Sequence, residues 1–182
     1  NNHFSGYESG VNNTTGSNNQ FSGYQSGLNN TTGRDNQFSG YQSGQANTIG
    51  IRNQFSGNRS GLNNTTGNDN LFSGYESGGF NTTGSFNVFS GTLSGNFNST
   101  GSGNTALGYQ AGPSIGGLTN TTALGSTAFV ATSNTVQLGN AAITDLRCRV
   151  GLTVTSDARF KYDVQANVPG LAFISRLRPV TY

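Results

Sequence analysis

NQFSGYQSGLNNTTGRDNQFSG, residues 19–40, spans one complete period of a repeat that continues through much of the chain. Phenylalanine recurs at a strict spacing of 17 residues, and alanine then continues the same register. This column consists of Phe4, Phe21, Phe38, Phe55, Phe72, Phe89 and Ala106. A fixed period of this kind is the signature of a repeat architecture, in which each repeat is one structural unit that packs on its neighbours.

Glycine and asparagine recur in the same register. Glycine occupies three columns, which are Gly6, Gly23, Gly40, Gly57, Gly74, Gly91 and Gly108; Gly10, Gly27, Gly44, Gly61, Gly78, Gly95 and Gly112; and Gly16, Gly33, Gly50, Gly67, Gly84 and Gly101. Asparagine occupies two columns, which are Asn2, Asn19, Asn36, Asn53, Asn70, Asn87 and Asn104, and Asn13, Asn30, Asn47, Asn64, Asn81 and Asn98. Glycine columns indicate corners or close backbone approach. Identical amides stacked about 4.8 Å apart can hydrogen-bond along the axis, so the asparagine columns predict ladders.

Strand propensity falls on the short segments between these corners. The segment QFSGYQ contains aromatic residues, and the segment NTT contains β-branched threonine. We therefore predict two short strands in each coil and an all-β fold, a parallel β-solenoid or β-roll of 17-residue coils. The handedness of the coil stays open.

The repeat predicts a division of the chain into three parts. Residues 1–118 form the solenoid, and the register breaks in residues 119–155, which are predicted to be a β-rich neck or connector. The third part begins at residue 156. Within it, Leu171, Ile174 and Leu177 fall at helical spacing, which predicts a short helix near the C-terminus.

Composition excludes several classes of protein. Only 31% of the residues are hydrophobic and 9% are charged, which fits neither an ordinary core nor charge-driven disorder. The net charge is +2, and the basic residues are scattered and form no stripe, so we expect no nucleic-acid partner. No apolar run approaches the roughly 18 residues that span a bilayer, so no membrane insertion is expected within this chain.

Few side chains in this sequence suit metal or catalytic chemistry. His3 is the single histidine and Cys148 the single cysteine, so neither a metal cluster nor a Ser-His-acid triad is expected. We expect the Cys148 thiol to be buried or idle. No cofactor, no metal and no turnover of an external substrate are predicted.

The phenylalanine column buries too little apolar area to stabilise one chain alone. One large apolar side chain per coil contributes roughly 2–3 kcal/mol, whereas ordering costs about 1 kcal/mol or more per residue. Three chains that pack around a common axis would relieve this shortfall, so we predict a homotrimer. The alternative is a monomeric solenoid in which the phenylalanine stack suffices.

Three phrases near the end of the array carry a family resemblance. NTALGYQAG (104–112), TALGSTA (122–128) and NTVQLGN (134–140) resemble the head repeats of trimeric autotransporter adhesins. The resemblance covers the chain from Asn1 to about Asn140. It implies a trimeric β-roll that is extracellular, on a cell surface or a virion, with a host-cell glycan or surface receptor as partner.

A second resemblance concerns the C-terminal part. SDARFK (156–161), followed by LAFISRLRPVTY (171–182), is similar to the start of the intramolecular chaperone domain of endosialidase-type phage tailspikes and bacterial surface fibres. That domain templates trimer assembly and then cuts itself away. The resemblance implies cleavage between Ser156 and Asp157, with Ser156 as the nucleophile and Lys161 as its general base.

The implied chemistry is physically reasonable. A lysine can act as a base where desolvation or a neighbouring cation such as Arg159 lowers its pKa. The family domain continues well beyond the position of Tyr182, so residues 156–182 correspond to its N-terminal part. Self-cleavage is therefore expected once per chain in a longer precursor and not in this fragment.

Two further surfaces suggest other functions. An aromatic column that could hold sugars by ring stacking consists of Tyr7, Tyr24, Tyr41, Tyr75 and Tyr109. Paired threonines could form a regular lattice that binds ice, at positions 14/15, 31/32, 65/66 and 82/83, although Ile49 interrupts one column. Late in the array, Phe80, Phe86 and Phe97 occupy columns that earlier hold mainly Asn, Asp or Arg, which predicts either a wider core or an exposed adhesive patch.

Overall fold

A computed structural model describes residues 1–149 of the chain, and what it describes is all β, without a helix. The helix predicted near the C-terminus, the cleavage site and residues 156–182 lie outside the described residues. The strands are β1 (His3–Ser5), β2 (Gln20–Ser22), β3 (Gln37–Ser39), β4 (Gln54–Ser56), β5 (Leu71–Ser73), β6 (Val88–Ser90), β7 (Thr105–Leu107), β8 (Gly112–Pro113), β9 (Thr122–Leu124), β10 (Phe129–Val130) and β11 (Val136–Leu138).

Nine strands form one parallel sheet in the order β1-β2-β3-β4-β5-β6-β7-β9-β11. Each strand pairs with its equivalent in the next coil, so that Phe21 lies opposite Phe38 and Phe38 lies opposite Phe55. The prediction of a parallel β-solenoid with 17-residue coils is confirmed for this part of the chain.

The repeated coils contain one strand each, not two. In the NTT segment, the N–H groups of Thr31, Thr32 and Gly33 all donate to the carbonyl oxygen of Thr48, at 2.9, 3.2 and 3.2 Å. Because three successive donors converge on one acceptor, the backbone curves there and forms no ladder. The prediction of a second strand at NTT is wrong, and a second strand pair, β8 with β10, forms only near the end of the array.

The phenylalanine column is the core of the solenoid. Phe21, Phe38, Phe55, Phe72 and Phe89 are fully buried. Successive rings from Phe21 to Phe89 stack with centroids 4.8–5.0 Å apart and interplanar angles of 5–7°. Each ring covers a glycine of its own coil: a Cβ on Gly44 would lie 2.5 Å from the Phe38 ring. A side chain in that glycine column would therefore clash with the ring.

A second glycine column forms the corner that follows the strand. Gly40 has a φ of +136°, and a Cβ there would lie 2.4 Å from the carbonyl oxygen of Gly57 in the next coil. Both the backbone angle and the approach of the neighbouring backbone exclude a side chain. The predicted corners are confirmed.

The two asparagine columns form the predicted ladders, and they meet at one carbonyl. The Asn36 backbone N–H donates to Asn19 Oδ1 at 3.0 Å, while the Asn36 Nδ2 donates to the Gly50 carbonyl at 2.8 Å. In the other column, Asn47 Nδ2 donates to Asn30 Oδ1 at 2.7 Å and to the same Gly50 carbonyl at 3.1 Å. Each buried side-chain amide thus has hydrogen-bond partners in the adjoining coil and on a glycine carbonyl that the two ladders share.

A buried serine column adds a third set of bonds, which the sequence alone did not predict. Ser26 Oγ donates to the Phe38 carbonyl at 3.2 Å, and Ser43 Oγ donates to the Phe55 carbonyl at 3.2 Å. The fully buried members are Ser26, Ser43, Ser60, Ser77 and Ser94. Polar side chains therefore form much of the interior, which explains how a chain with so few apolar residues is ordered.

The sheet continues past the boundary predicted at residue 118. Thr105 pairs with Thr122 at the usual spacing, and Thr122 pairs with Val136, so the last coil has shortened to 14 residues. Ala106 and Ala123 replace phenylalanine in the core, and Val130 of β10 is buried beside them. Residues 1–144 form one compact unit, so part of the predicted connector belongs to the solenoid.

Candidate functional site

The tyrosine column lies on the surface beside the corner glycines. Tyr7, Tyr24 and Tyr41 stack on one another with centroids 5.4 and 5.2 Å apart. Because Tyr24 is covered on both faces, it presents mainly its edge and hydroxyl to solvent. Tyr75 and Tyr109 are exposed and stack on no other described ring. The column is interrupted by Asn58 and Thr92, and the five tyrosines do not form one continuous platform.

Charge beside the first tyrosine alters its ionisation. The Glu8 carboxylate raises the pKa of Tyr7 above its usual value of 10.0, mainly through its negative charge and also through a hydrogen bond. The nearby negative charge thus favours the neutral form of the Tyr7 hydroxyl, which can donate and accept hydrogen bonds.

The hydroxyls of the first threonine column donate hydrogen bonds to backbone carbonyls. Thr31 Oγ1 donates to the Thr48 carbonyl, and Thr48 Oγ1 donates to the Thr65 carbonyl, each at 3.0 Å. These hydroxyls hold coils together and do not form a free lattice of donors. The ice-binding hypothesis then depends on the second column, in which Thr15, Thr32 and Thr83 are exposed.

Surface columns that vary in sequence carry complementary pairs between neighbouring coils. Arg52 binds the Asp69 carboxylate through Nε at 2.6 Å and Nη2 at 2.7 Å, and Arg59 Nη1 donates to Glu76 at 2.6 Å. The Asp69 carboxylate raises the pKa of Arg52 through the hydrogen bonds and its charge. These pairs were not predicted from the sequence, although opposite charges 17 positions apart were the available signal.

The outer face of the sheet changes character along the chain. The position before the core residue is Gln20, Gln37 and Gln54 in the early strands, whereas Leu71 and Val88 occupy it in later ones. Further exposed apolar residues extend this face towards the C-terminal end, and they are Leu107, Val136 and Leu138. Exposed apolar residues that collect on one face of a sheet are typical of an interaction surface.

The late phenylalanines are also exposed. Phe80, Phe86 and Phe97 are 57%, 66% and 53% exposed, so they lie on the surface and do not widen the core. Phe97 packs against Phe129 with ring centroids 6.2 Å apart.

The predicted cleavage site falls outside the described residues. Ser156, Asp157, Arg159 and Lys161 lie beyond residue 149, so their geometry is not described. In residues 1–149 no group of three or more potential ligands could hold a metal ion, and no helix could cross a membrane. Cys148 is exposed.

Comparison with known proteins does not assign the chain to a family. No family model, no curated protein and no solved structure matches it.

Proposed function

We propose that the protein is a structural and adhesive segment of a homotrimeric extracellular fibre, on a cell surface or a virion. The observation that carries the proposal is the uninterrupted nine-stranded parallel sheet, in which each coil is bonded to the next by backbone, asparagine and serine. Such a stack holds its surface columns at fixed spacing along one axis, which suits a fibre that displays repeated contacts.

The apolar outer face supports assembly into a trimer. Exposed leucine and valine on β5, β6, β7 and β11 give the later coils a surface that a neighbouring chain can cover. The resemblance of NTALGYQAG, TALGSTA and NTVQLGN to adhesin heads supports the same assembly.

Native mass spectrometry tests the trimer directly. At micromolar concentration we expect a species of three times the 18.9 kDa chain mass. Changing Leu71 and Val88 to glutamine, the residue of the earlier strands, should weaken it without disturbing the coil. The matched control changes Gln37 to asparagine and should leave the mass of the assembly unchanged. A monomer in the parent protein would contradict the proposal.

Glycan binding by tyrosine is a second candidate, favoured by Tyr75 and Tyr109, which are exposed and stack on no other described aromatic ring. A glycan array with Tyr75→Asn, which installs the residue found at Asn58, should lose signal relative to the parent. A Tyr24→Ala, Tyr41→Ala double variant should lose less, because those rings cover one another. Equal signal for all three proteins would dismiss the tyrosine column.

Maturation by self-cleavage is the third part of the proposal and rests on the SDARFK and LRPVTY resemblance. In a precursor extended beyond Tyr182 by a complete chaperone domain, Ser156→Ala and Lys161→Ala should each leave the chain intact while trimers still form. Proximity of base and nucleophile lowers such barriers by several kcal/mol, about 7–11 at best. If mass measurement showed the Ser156→Ala precursor cut after residue 156, an external protease would be the better explanation.

A further inference from the structure

A shallow groove runs along the surface of the first three coils, which are those of Phe4, Phe21 and Phe38. Its volume is about 650 Å³, within the range of about 300–1,000 Å³ that is typical of small-ligand sites. Two neighbouring columns supply most of its lining, and they are Asn12, Asn29 and Ala46, and Thr14, Thr31 and Thr48. The groove therefore follows the axis of the solenoid.

The groove coincides with an interruption of an outer amide ladder. Asn12 Nδ2 donates to Asn29 Oδ1 at 3.1 Å, which is the start of a ladder from coil to coil. In the third coil the same column holds Ala46, which offers no side-chain acceptor to Asn29 Nδ2. Within residues 1–149 the Asn29 Nδ2 group has no hydrogen-bond partner, and the short alanine side chain leaves space in the next coil.

Later coils fill this column differently. Asn63 Nδ2 donates to the Gly79 carbonyl at 2.7 Å, and the next two positions of the column are Phe80 and Phe97. The combination of an unpaired amide and a following alanine thus belongs to the second and third coils alone, so the groove is a local feature and not a general property of the repeat.

The backbone beside the groove is already bonded within the solenoid. The N–H groups of Asn12 and Asn29 donate to carbonyl oxygens of the next coil at 3.1 and 3.0 Å. The hydroxyls of Thr14 and Thr31 also donate to carbonyl oxygens of the next coil, each at 3.0 Å. An extended peptide therefore finds no free N–H groups with which to pair as an added strand.

The groups that stay available are neutral. No charged side chain is among the described residues that line the groove. Asn29 Nδ2 is a free donor and Asn12 Oδ1 a free acceptor, while Ala46 and the exposed Val11 supply carbon surface. Such a mixture suits an uncharged ligand with both hydroxyls and C–H faces. Because equivalent residues recur about every 4.8 Å, it also suits a ligand whose units repeat along the axis.

We propose that this groove binds an extended, neutral oligosaccharide whose β-linked sugar units lie along the solenoid axis. Asn29 Nδ2 donates to a sugar oxygen, Asn12 Oδ1 accepts from a hydroxyl, and Val11 and Ala46 contact C–H groups. These columns are separate from the sheet face and from the tyrosine column, so a trimer assembled through the sheet face would not use them. The inference rests on the adhesive half of the proposed function and names its ligand class.

The experiment is a ¹H–¹⁵N NMR titration of the intact protein with three β-linked tetrasaccharides, which are cellotetraose, β-1,4-mannotetraose and tetra-N-acetylchitotetraose. We expect at least one of them to shift the side-chain amide signals of Asn12 and Asn29 and the backbone amide signal of Ala46. The same tetrasaccharide should bind more tightly than its disaccharide, because the groove extends over three coils. Maltotetraose, which is α-linked and curved, should bind more weakly.

A substitution that the fold already uses tests the site. Ala46→Asn installs the residue found in the same column at Asn12, Asn29 and Asn63, so the coil should keep its fold. The new amide fills the space and offers an acceptor to Asn29 Nδ2, so binding should weaken about tenfold or more. The matched control is Thr32→Ile, which installs the residue found at Ile49 in an exposed column outside the lining. It should leave the titration unchanged.

Three results would overturn the groove as the site. They are the absence of these shifts with all three β-linked tetrasaccharides, an equal loss in Ala46→Asn and Thr32→Ile, and shifts confined to Tyr75 and Tyr109. The last result would favour the tyrosine column instead. Native mass on the same samples reports the trimer separately, so the failure of one proposal is distinguishable from the failure of the other.

Discussion

The coils built on the phenylalanine stack and the coils built on Ala106 and Ala123 distribute apolar side chains in opposite ways. In the first group an aromatic ring fills the interior and glutamine covers much of the sheet, whereas in the second a methyl group lies inside and leucine lies outside. The space beside the two alanines is filled by β10, where Val130 is buried. The same sheet can therefore be maintained with different cores, provided that the backbone ladder continues.

The difference also separates two roles of the apolar residues. In the early coils the apolar side chains stabilise the single chain. In the late coils they are largely available to a neighbour, because Leu107 and Leu138 are exposed while the alanines contribute little buried area. Substitutions in the two groups of coils should therefore differ in their effect on stability.

The largest effect is expected at the corner glycines. Gly40→Ala places a Cβ 2.4 Å from the Gly57 carbonyl, and we expect it to lower the free energy of unfolding by about 5 kcal/mol. At Gly125 the nearest atom is 3.3 Å away, so Gly125→Ala should cost only about 1–2 kcal/mol, mostly from its positive φ. Urea denaturation followed by circular dichroism measures both. Equal losses would show that the corner does not loosen in the last coil.

Exchanging phenylalanine and alanine between the cores of the two groups of coils should lower the stability of the protein in both directions. Phe55→Ala leaves a cavity between two rings and should cost about 3–5 kcal/mol. Ala106→Phe adds a ring to the core cluster that contains Ala123 and Val130, and the overpacking should cost about 1–3 kcal/mol. Thermal denaturation of both variants checks the pair. If Ala106→Phe stabilised the protein, the core of the late coils would contain unfilled space.

The asparagine ladder should matter more within the array than at its end. Asn53→Ala leaves the Gly67 carbonyl and the Asn70 N–H without these partners, and should cost about 2–3 kcal/mol. At the end of the ladder, Thr121 Oγ1 donates to Asn104 Oδ1 at 2.7 Å, and Thr121→Val should cost about 1 kcal/mol. The exposed Asn29, changed to alanine, serves as the control and should stay within about 0.5 kcal/mol of the parent in the same urea experiment.

The smallest effect is expected at a surface ion pair in the middle of the array. Asp69→Asn removes the carboxylate that binds Arg52 and installs the residue found at Asn18 and Asn120 in the same column. Because Arg52 is exposed, the loss should be about 0.2–1 kcal/mol and should shrink as salt is added. Unfolding free energies at low and high salt measure it. A loss that salt does not change would indicate a steric cause.

Much of the solenoid could be predicted because strict spacing reports stacking. The columns that contain Phe38, Gly40 and Asn36 are explained by the buried ring stack, the corner and the amide ladder. Each of them lies where its spacing predicted. The error at NTT arose because β-branched threonine favours strands, yet here its N–H groups converge on a single carbonyl. Propensity was overridden by the geometry of the neighbouring coil.

Other features were missed for identifiable reasons. The serine column is as regular as the asparagine columns, but serine is common on surfaces and so Ser43 did not stand out. The continuation beyond residue 118 was hidden because the last period shortens to 14 residues. The phrases TALG at 105–108 and 122–125, followed by VQLG at 136–139, were the signal that could have found it.

The shared Gly50 carbonyl, which receives both asparagine ladders, has a consequence for inheritance. The upper surface of one coil offers the same donors and acceptors as the upper surface of the next, so the junction left by removing a coil is the same junction again. A deletion or duplication of 17 codons therefore changes the length of the array and leaves its bonding intact, whereas any other length changes the coil in which it falls, as in the last coil of 14 residues. The length of the solenoid becomes a trait that unequal recombination can adjust in whole coils.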